Sequence, residues 1–354
     1  MWDLVGHEQA TQRLSLSLRR GHLAHAYLLT GPASVGKTTL AYRLAQALNC
    51  ANPEPPCRQC RSCRLVDTGN HPDVRVLQLR PAENGSEDGG GQDAHEEREG
   101  KRGSKNKKNL GIDAIREVIR EAALSPYEAR YKVYTVLNAE TLSADAANSI
   151  LKLLEEPPRQ VVLILTAADA NMLLPTVVSR CQEIRLQPVP TAAIVTHLRQ
   201  QGLEPEKAEL LARLSGGRAG WAISAAADDS LLGERQTLLK RLLRGGSGGT
   251  GERVALAGQL AADFSKQRQS VEMALELWVM WWRDVLLVQA EAADLVGNLD
   301  RMAELRAQAA GCSPSRVRSY LARIETARVQ LAQNVNPRLA FEALLLASPA
   351  VGPL

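Results

Sequence analysis

The chain has 354 residues and a formal net charge of +4, long enough for two or three domains and too weakly basic for its size to argue nucleic-acid binding from charge alone. No apolar run reaches transmembrane length and the opening MWDLV lacks a charged-then-apolar leader, so a soluble, cytoplasmic protein with no membrane attachment is expected. Aromatic residues make up only 4%, while Ala, Leu, Arg and Glu abound, which favours many helices over a β-sandwich.

Residues 2–20 carry Leu4, Val5, Leu14, Leu16 and Leu18, with a helix predicted from Glu8. AYLLT (26–30) then reads as a buried strand and TLAYRLAQAL (39–48) as a helix with one apolar face. Between them stands GPASVGKT (31–38), at the spacing G-x-x-x-x-G-K-[ST] of a phosphate-binding loop. Gly31 and Gly36 let the backbone curl so that successive N–H groups converge on phosphate oxygens at a helix N-terminus, where the peptide dipoles favour an anion. The expected nucleotide contacts are Gly31, Pro32, Ala33, Ser34, Val35, Gly36, Lys37, Thr38 and Thr39. In this set Lys37 reaches the terminal phosphates and Thr38 a magnesium ion. Val5 joins them, because residues 2–20 precede the phosphate loop by the distance at which an adenine pocket is often built.

Four of the six cysteines crowd into 50–63 as Cys50, Cys57, Cys60 and Cys63. Tetrahedral zinc held by four thiolates is the best fit, in a closed and therefore structural site. An iron–sulfur cluster and simple unligated thiols remain open alternatives. Arg58, Arg61 and Arg64 stand where they could partly offset the thiolate charge. Cys181 and Cys312 read as small buried hydrophobes.

Residues 73–79 alternate like a strand. From 82 to 109 the chain is almost devoid of apolar residues, acidic first and basic after, and is predicted to be a disordered insertion. Order resumes with Ile112, Ile115, Val118 and Ile119 on one helical face. A core strand (132–137), a helix (144–156) stopped by Pro157 and Pro158, and a continuous apolar strand (161–166) follow, with a last strand at 183–186. Strands alternating with helices around a phosphate loop define a doubly wound α/β domain, and beyond Pro188 the pattern becomes wholly helical. A glycine-rich run at 245–251 is expected to be a flexible linker. Trp278, Trp281 and Trp282, at helical spacing, are expected in a core or a subunit interface.

The phosphate loop, the four-cysteine module after its helix, LLEEPP (153–158) and LPTVVSRC (174–181) together resemble the subunits of the bacterial DNA polymerase III clamp loader, an AAA+ ATPase assembly. NPRLAFEAL (336–344) is similar to the end of the collar domain in its delta-prime branch, with gamma/tau as the close relative. The resemblance implies an AAA+ P-loop domain over 1–188, with the zinc module at 50–63 and the insertion at 82–109. A helical lid would occupy 189–244 and a helical collar for oligomerisation 252–347. It implies a hetero-oligomer, a ring-like pentamer with gamma/tau and delta, that loads a sliding clamp onto primed DNA. Structural Zn2+ and ATP or ADP with Mg2+ are the implied cofactors. Arg180, in the Ser179-Arg180-Cys181 motif, would act as an arginine finger on ATP held by the neighbouring gamma/tau subunit.

The departures from the family pattern matter equally. Where active relatives end the strand after Val136 with an acidic pair, this chain has Leu137 and Asn138, which serve neither a metal shell nor as general base. Glu140, displaced by a few residues, is expected to point elsewhere, so hydrolysis at this chain's own site should be absent or very slow. A gamma/tau-type motor that hydrolyses ATP, and a zinc-bearing DNA-binding adaptor with a vestigial nucleotide site, are the rival readings. In the lid, either Arg218 or Trp221 holds the position of a γ-phosphate sensor. Thr166 is the candidate polar sensor at a strand end, and Lys152 a candidate DNA contact.

Overall fold

The computed structural model describes residues 2–78, 110–333 and 335–349. The predicted insertion at 82–109 lies outside the described residues. The chain divides into two compact units, Met1–Pro188 and Val189–Leu354. Among the described residues no helix is long and apolar enough to cross a membrane.

The first unit is built on five parallel strands, β1 (Ala26–Thr30), β2 (Val74–Gln78), β3 (Lys132–Leu137), β4 (Val161–Ala167) and β5 (Gln182–Arg185), in the order β2-β3-β4-β1-β5. Helices α1 (Glu8–Arg20), α2 (Lys37–Asn49), α3 (Arg61–Asp67), α4 (Leu110–Ala122), α5 (Ala144–Glu155) and α6 (Pro175–Val178) connect and cover them. Strands β1, β3 and β4 are buried along their whole length, as parallel strands covered on both faces must be. Alternate side chains divide between the faces. Tyr27, Leu29, Val133 and Ile164 pack with Leu40, Leu44 and Leu48 of α2, while Leu28, Val136, Leu163 and Leu165 pack with Ile115, Val118 and Ile150 of α4 and α5. All strands point the same way, so the loops after β1, β3 and β4 gather at one edge of the sheet.

The second unit is helical: α7 (Thr191–Gln200), α8 (Pro205–Leu214), α9 (Ala219–Ala227), α10 (Ser230–Ser247), α11 (Thr250–Lys266), α12 (Arg268–Gln289), α13 (Met302–Gly311), α14 (Pro314–Ala332) and α15 (Pro337–Leu346). Trp278, Trp281 and Trp282 lie inside its core, at most 1% exposed, with the Tyr320 ring edge-on to Trp278 and Trp282 at 5.9 and 5.3 Å between centroids. The expected flexible linker at 245–251 is corrected: α10 continues to Ser247 and α11 starts at Thr250, leaving only Gly248 and Gly249 between them. Gly248 packs closely on the Glu252 side chain, whose Oε2, Cβ and Cδ a Cβ there would meet, and Glu252 Oε2 accepts the Gly249 N–H to cap α11.

Candidate nucleotide site and metal centre

The phosphate loop turns from β1 into α2 at the carboxyl edge of the sheet. Gly31 has φ 143° and lies so close to Leu186 that a Cβ would clash with its carbonyl oxygen; Gly36, the residue before α2, has φ 117°. Neither position admits a side chain without strain. Ser34 is also left-handed, φ 56°. Val35 points into the core, and Pro32, Ala33, Ser34, Thr38 and Thr39 are exposed along the mouth of the loop. Lys37 is 8% exposed and donates through Nζ to the carbonyls of Gly31 (2.5 Å) and Pro32 (2.8 Å). Burial lowers its pKa, and the nearby negative charge of Glu140 works in the opposite direction.

The segment before α1 packs on this loop. His7 is buried and its Nε2–H donates to the Val35 carbonyl at 2.9 Å, while Leu4 lies against Gly36. Val5 stands between these two anchors, half-buried. Nothing in the sequence pattern marked His7; a lone histidine before a helix carries no signal of its own.

At the end of β3, Leu137 is buried and Asn138 turns left-handed, φ 53°, with its N–H donated to Thr166 Oγ1 at 2.9 Å. Thr166 therefore pins the end of β3, and its hydroxyl is engaged in that bond. The expectation that Glu140 points elsewhere is corrected. The left-handed turn carries it back over the sheet edge, where its Oε1 accepts the N–H of Ala168 at 3.2 Å.

Arg180, just beyond α6, is paired with Glu155 at the C-terminus of α5 (2.9 Å) and donates to the Thr176 carbonyl (3.0 Å). Its side chain stays 36% exposed, so an exposed ion pair of this kind holds it only weakly. Lys152 is exposed on α5. In the second unit Arg218 donates to Glu276 of α12 and, through Nε, to the Ser215 carbonyl (2.8 Å), and Trp221 is half-buried in the first turn of α9.

The sulfurs of Cys50, Cys57, Cys60 and Cys63 all lie within 4.8 Å of one another, with Cys50–Cys60 and Cys57–Cys63 at 4.0 Å. Four thiolates at zinc–sulfur bond length stand about 3.8 Å apart in a tetrahedron. The four residues fit that ion. Backbone N–H groups of Cys60 and Gln59 pull the Cys57 thiol down to about 6, and burial pushes Cys63 up. Amides of Asn52 and Cys57 also point at Cys50 Sγ, at 3.5 and 3.4 Å. Arg58 and Arg61 are aimed at carboxylates instead: Arg58 pairs with Asp3 and Arg61 with Glu128, each at 2.6 Å.

A parallel sheet in this strand order, with a phosphate-loop motif after β1 and an inserted cysteine module, defines an AAA+-type P-loop fold followed by an all-helical C-terminal part. The family model described as DNA polymerase III, delta subunit, matches residues 6–190, and that of DNA polymerase III, delta subunit, C terminal, matches residues 231–348. The chain belongs to this DNA polymerase III delta subunit family, in agreement with its resemblance to the delta-prime branch. DNA polymerase III subunit delta' of Bacillus subtilis is 28% identical over 331 residues, 93% of this chain and 92% of that protein. Subunit delta' of Pseudomonas aeruginosa is 34% identical over 203 residues, 56% of this chain and 54% of that protein. Subunit tau of Bacillus subtilis is 30% identical over 230 residues, and the match covers 63% of this chain but only 36% of tau.

Proposed function

We propose that this subunit works in the clamp loader of the replicative DNA polymerase III holoenzyme, assembled with gamma/tau and delta chains. It binds nucleotide without hydrolysing it and presents Arg180 in trans to ATP on the adjacent gamma/tau subunit. Residues 189–244 act as lid and 252–347 as collar in a pentameric assembly that places the sliding clamp on primed DNA.

The observation that carries this reading is the unequal state of two neighbouring strand ends. After β1, the backbone of residues 31–36, Lys37 and Thr38 form a cradle suited to ATP or ADP with Mg2+. After β3 stand a buried Leu137 and an Asn138 whose backbone is held by Thr166. Neither side chain abstracts a proton from water. A guanidinium supplied from a neighbour offsets charge on a transferring phosphoryl group, and Arg180 is exposed enough to reach out once Glu155 releases it. The zinc at Cys50, Cys57, Cys60 and Cys63 holds the module's fold; with four protein ligands it leaves no open position for water. In this reading Lys152, exposed on α5, would meet DNA phosphate.

One observation favours a hydrolysing motor instead, namely the return of Glu140 toward Lys37. Mixing the chain with gamma/tau and delta and measuring both assembly and clamp loading tests the proposal. Loading that requires this chain supports it, and loading at the same rate without it refutes it.

A further inference from the structure

Glu140 sits in the short 3-10 turn Ala139–Thr141 that follows β3. Its Oε1 accepts the Ala168 N–H (3.2 Å), the Ala168 carbonyl accepts the N–H of Gly31 (3.2 Å), and the Gly31 carbonyl accepts Nζ of Lys37 (2.5 Å). Carboxylate and ammonium are thus the two ends of one short run of contacts that includes the first residue of the phosphate loop. The second oxygen, Oε2, is shielded from solvent and has no hydrogen-bond partner. An ionised oxygen left in that state is destabilising, and its side chain is linked through Ala168 to Gly31, the first residue of the phosphate-loop motif.

We infer that Glu140 is the cation-side carboxylate of this chain's own nucleotide pocket. Its Oε2 is completed by the divalent cation that accompanies a nucleoside di- or triphosphate, directly or through a cation-bound water. The inference rests on the reading of residues 31–39 as a nucleotide loop. Magnesium takes oxygen ligands and is bound with few carboxylates plus substrate phosphates, a donor set to which one glutamate beside a phosphate loop contributes. Charge sets the consequence. A carboxylate next to a polyphosphate repels it, and a divalent cation between them turns the repulsion into attraction. Glu140 therefore makes nucleotide binding magnesium-dependent, in a chain whose β3 end presents Leu137 and Asn138 where an acidic pair would stand.

The test is calorimetric titration of ADP into the full-length chain, with magnesium and with a chelator, for the wild type and for Glu140→Gln. The amide oxygen of Gln still accepts the Ala168 N–H, so the loop keeps its support while the charge is removed. In the wild type, withdrawal of magnesium weakens ADP binding about tenfold or more, the equivalent of one pKa unit of interaction. In Glu140→Gln, metal-free ADP binds more tightly than to the wild type, and magnesium adds less than about threefold. Equal magnesium dependence in the two proteins overturns the inference. If Glu140→Gln lowers the melting temperature, the wild type still decides: identical ADP affinity in magnesium and in chelator refutes the role. A Lys37→Ala chain that binds ADP as tightly as the wild type would instead sink the reading of the loop itself.

Discussion

The two edges of the sheet are finished differently. At the amino edge, three polar side chains are matched to backbone groups or to one another. Asp73 accepts the N–H groups of Tyr127, Glu128 and Ala129 at 2.7 to 3.0 Å, and Asn49 exchanges two hydrogen bonds with the Tyr131 backbone at 2.9 and 3.0 Å. His71 accepts the Asp73 N–H at Nδ1, so its Nε2 carries the proton given to Ser62 Oγ, and this ties β2 to the cysteine module. At the carboxyl edge, left-handed residues cluster at Gly31, Ser34, Gly36 and Asn138, Lys37 leans on loop carbonyls, and Glu140 keeps an unpartnered oxygen. One edge secures the fold; the other holds strain and unspent charge where a ligand would come. Backbone conformation and unpartnered charge of this sort concentrate at functional sites.

If that division is right, changes to the hydrogen bonds and cysteine module at the amino edge should strike stability, while changes at the carboxyl edge, or at the exposed Arg180 ahead of β5, should strike binding and turnover. The largest effect is expected from metal removal, because structural zinc in small modules is bound by about 10 kcal/mol. Elemental analysis should give about one zinc per chain, and chelation should unfold the segment around Cys50 to Cys63; a sulfide-bearing chromophore would reassign the site. Next comes Arg180→Ala, which should leave assembly intact and slow ATP turnover of the reconstituted complex by about 10³-fold. Unchanged turnover would remove the role in trans. Asp73→Asn should cost about 2 kcal/mol in unfolding free energy at neutral pH, since three N–H groups lose a charged acceptor.

The acid dependence of that last variant has a definite sign. Burial opposes the Asp73 charge, but the N–H groups of Glu128, Tyr127 and Ala129 outweigh it and depress the pKa below its ordinary 3.8. The stabilisation is thus complete above the unfolded value and disappears as pH falls through the lower folded value. Denaturation curves of wild type and Asp73→Asn should accordingly converge in strong acid, and a gap that is constant with pH would assign the loss to packing. The smallest effect belongs to Arg61→Ala, whose Arg61–Glu128 bridge is exposed on the arginine side and should contribute no more than about 1 kcal/mol.

Much of this was legible in the chain because it is local. The loop motif, the period-two and continuous apolar strands and the cysteine spacing each declare themselves within a dozen residues. What escaped was non-local. The position of Glu140 depends on one left-handed residue, Asn138, and asparagine favours that conformation more than most residues without requiring it. His7 and Asp73 act on backbone groups 28 and about 55 residues away, which no periodicity encodes. The run at 245–251 misled in the other direction. Its glycines read as freedom in the sequence, whereas in the structure helix runs on either side of Gly248, which packs against the Glu252 side chain.

The central claim is that this polypeptide can seat a nucleotide yet cannot cleave it. Steady-state phosphate release by the purified chain, in magnesium and ATP, alongside Lys37→Ala, tests it most directly. The prediction is no release above that of Lys37→Ala, although the wild type binds nucleotide; turnover in the wild type that Lys37→Ala abolishes would contradict it.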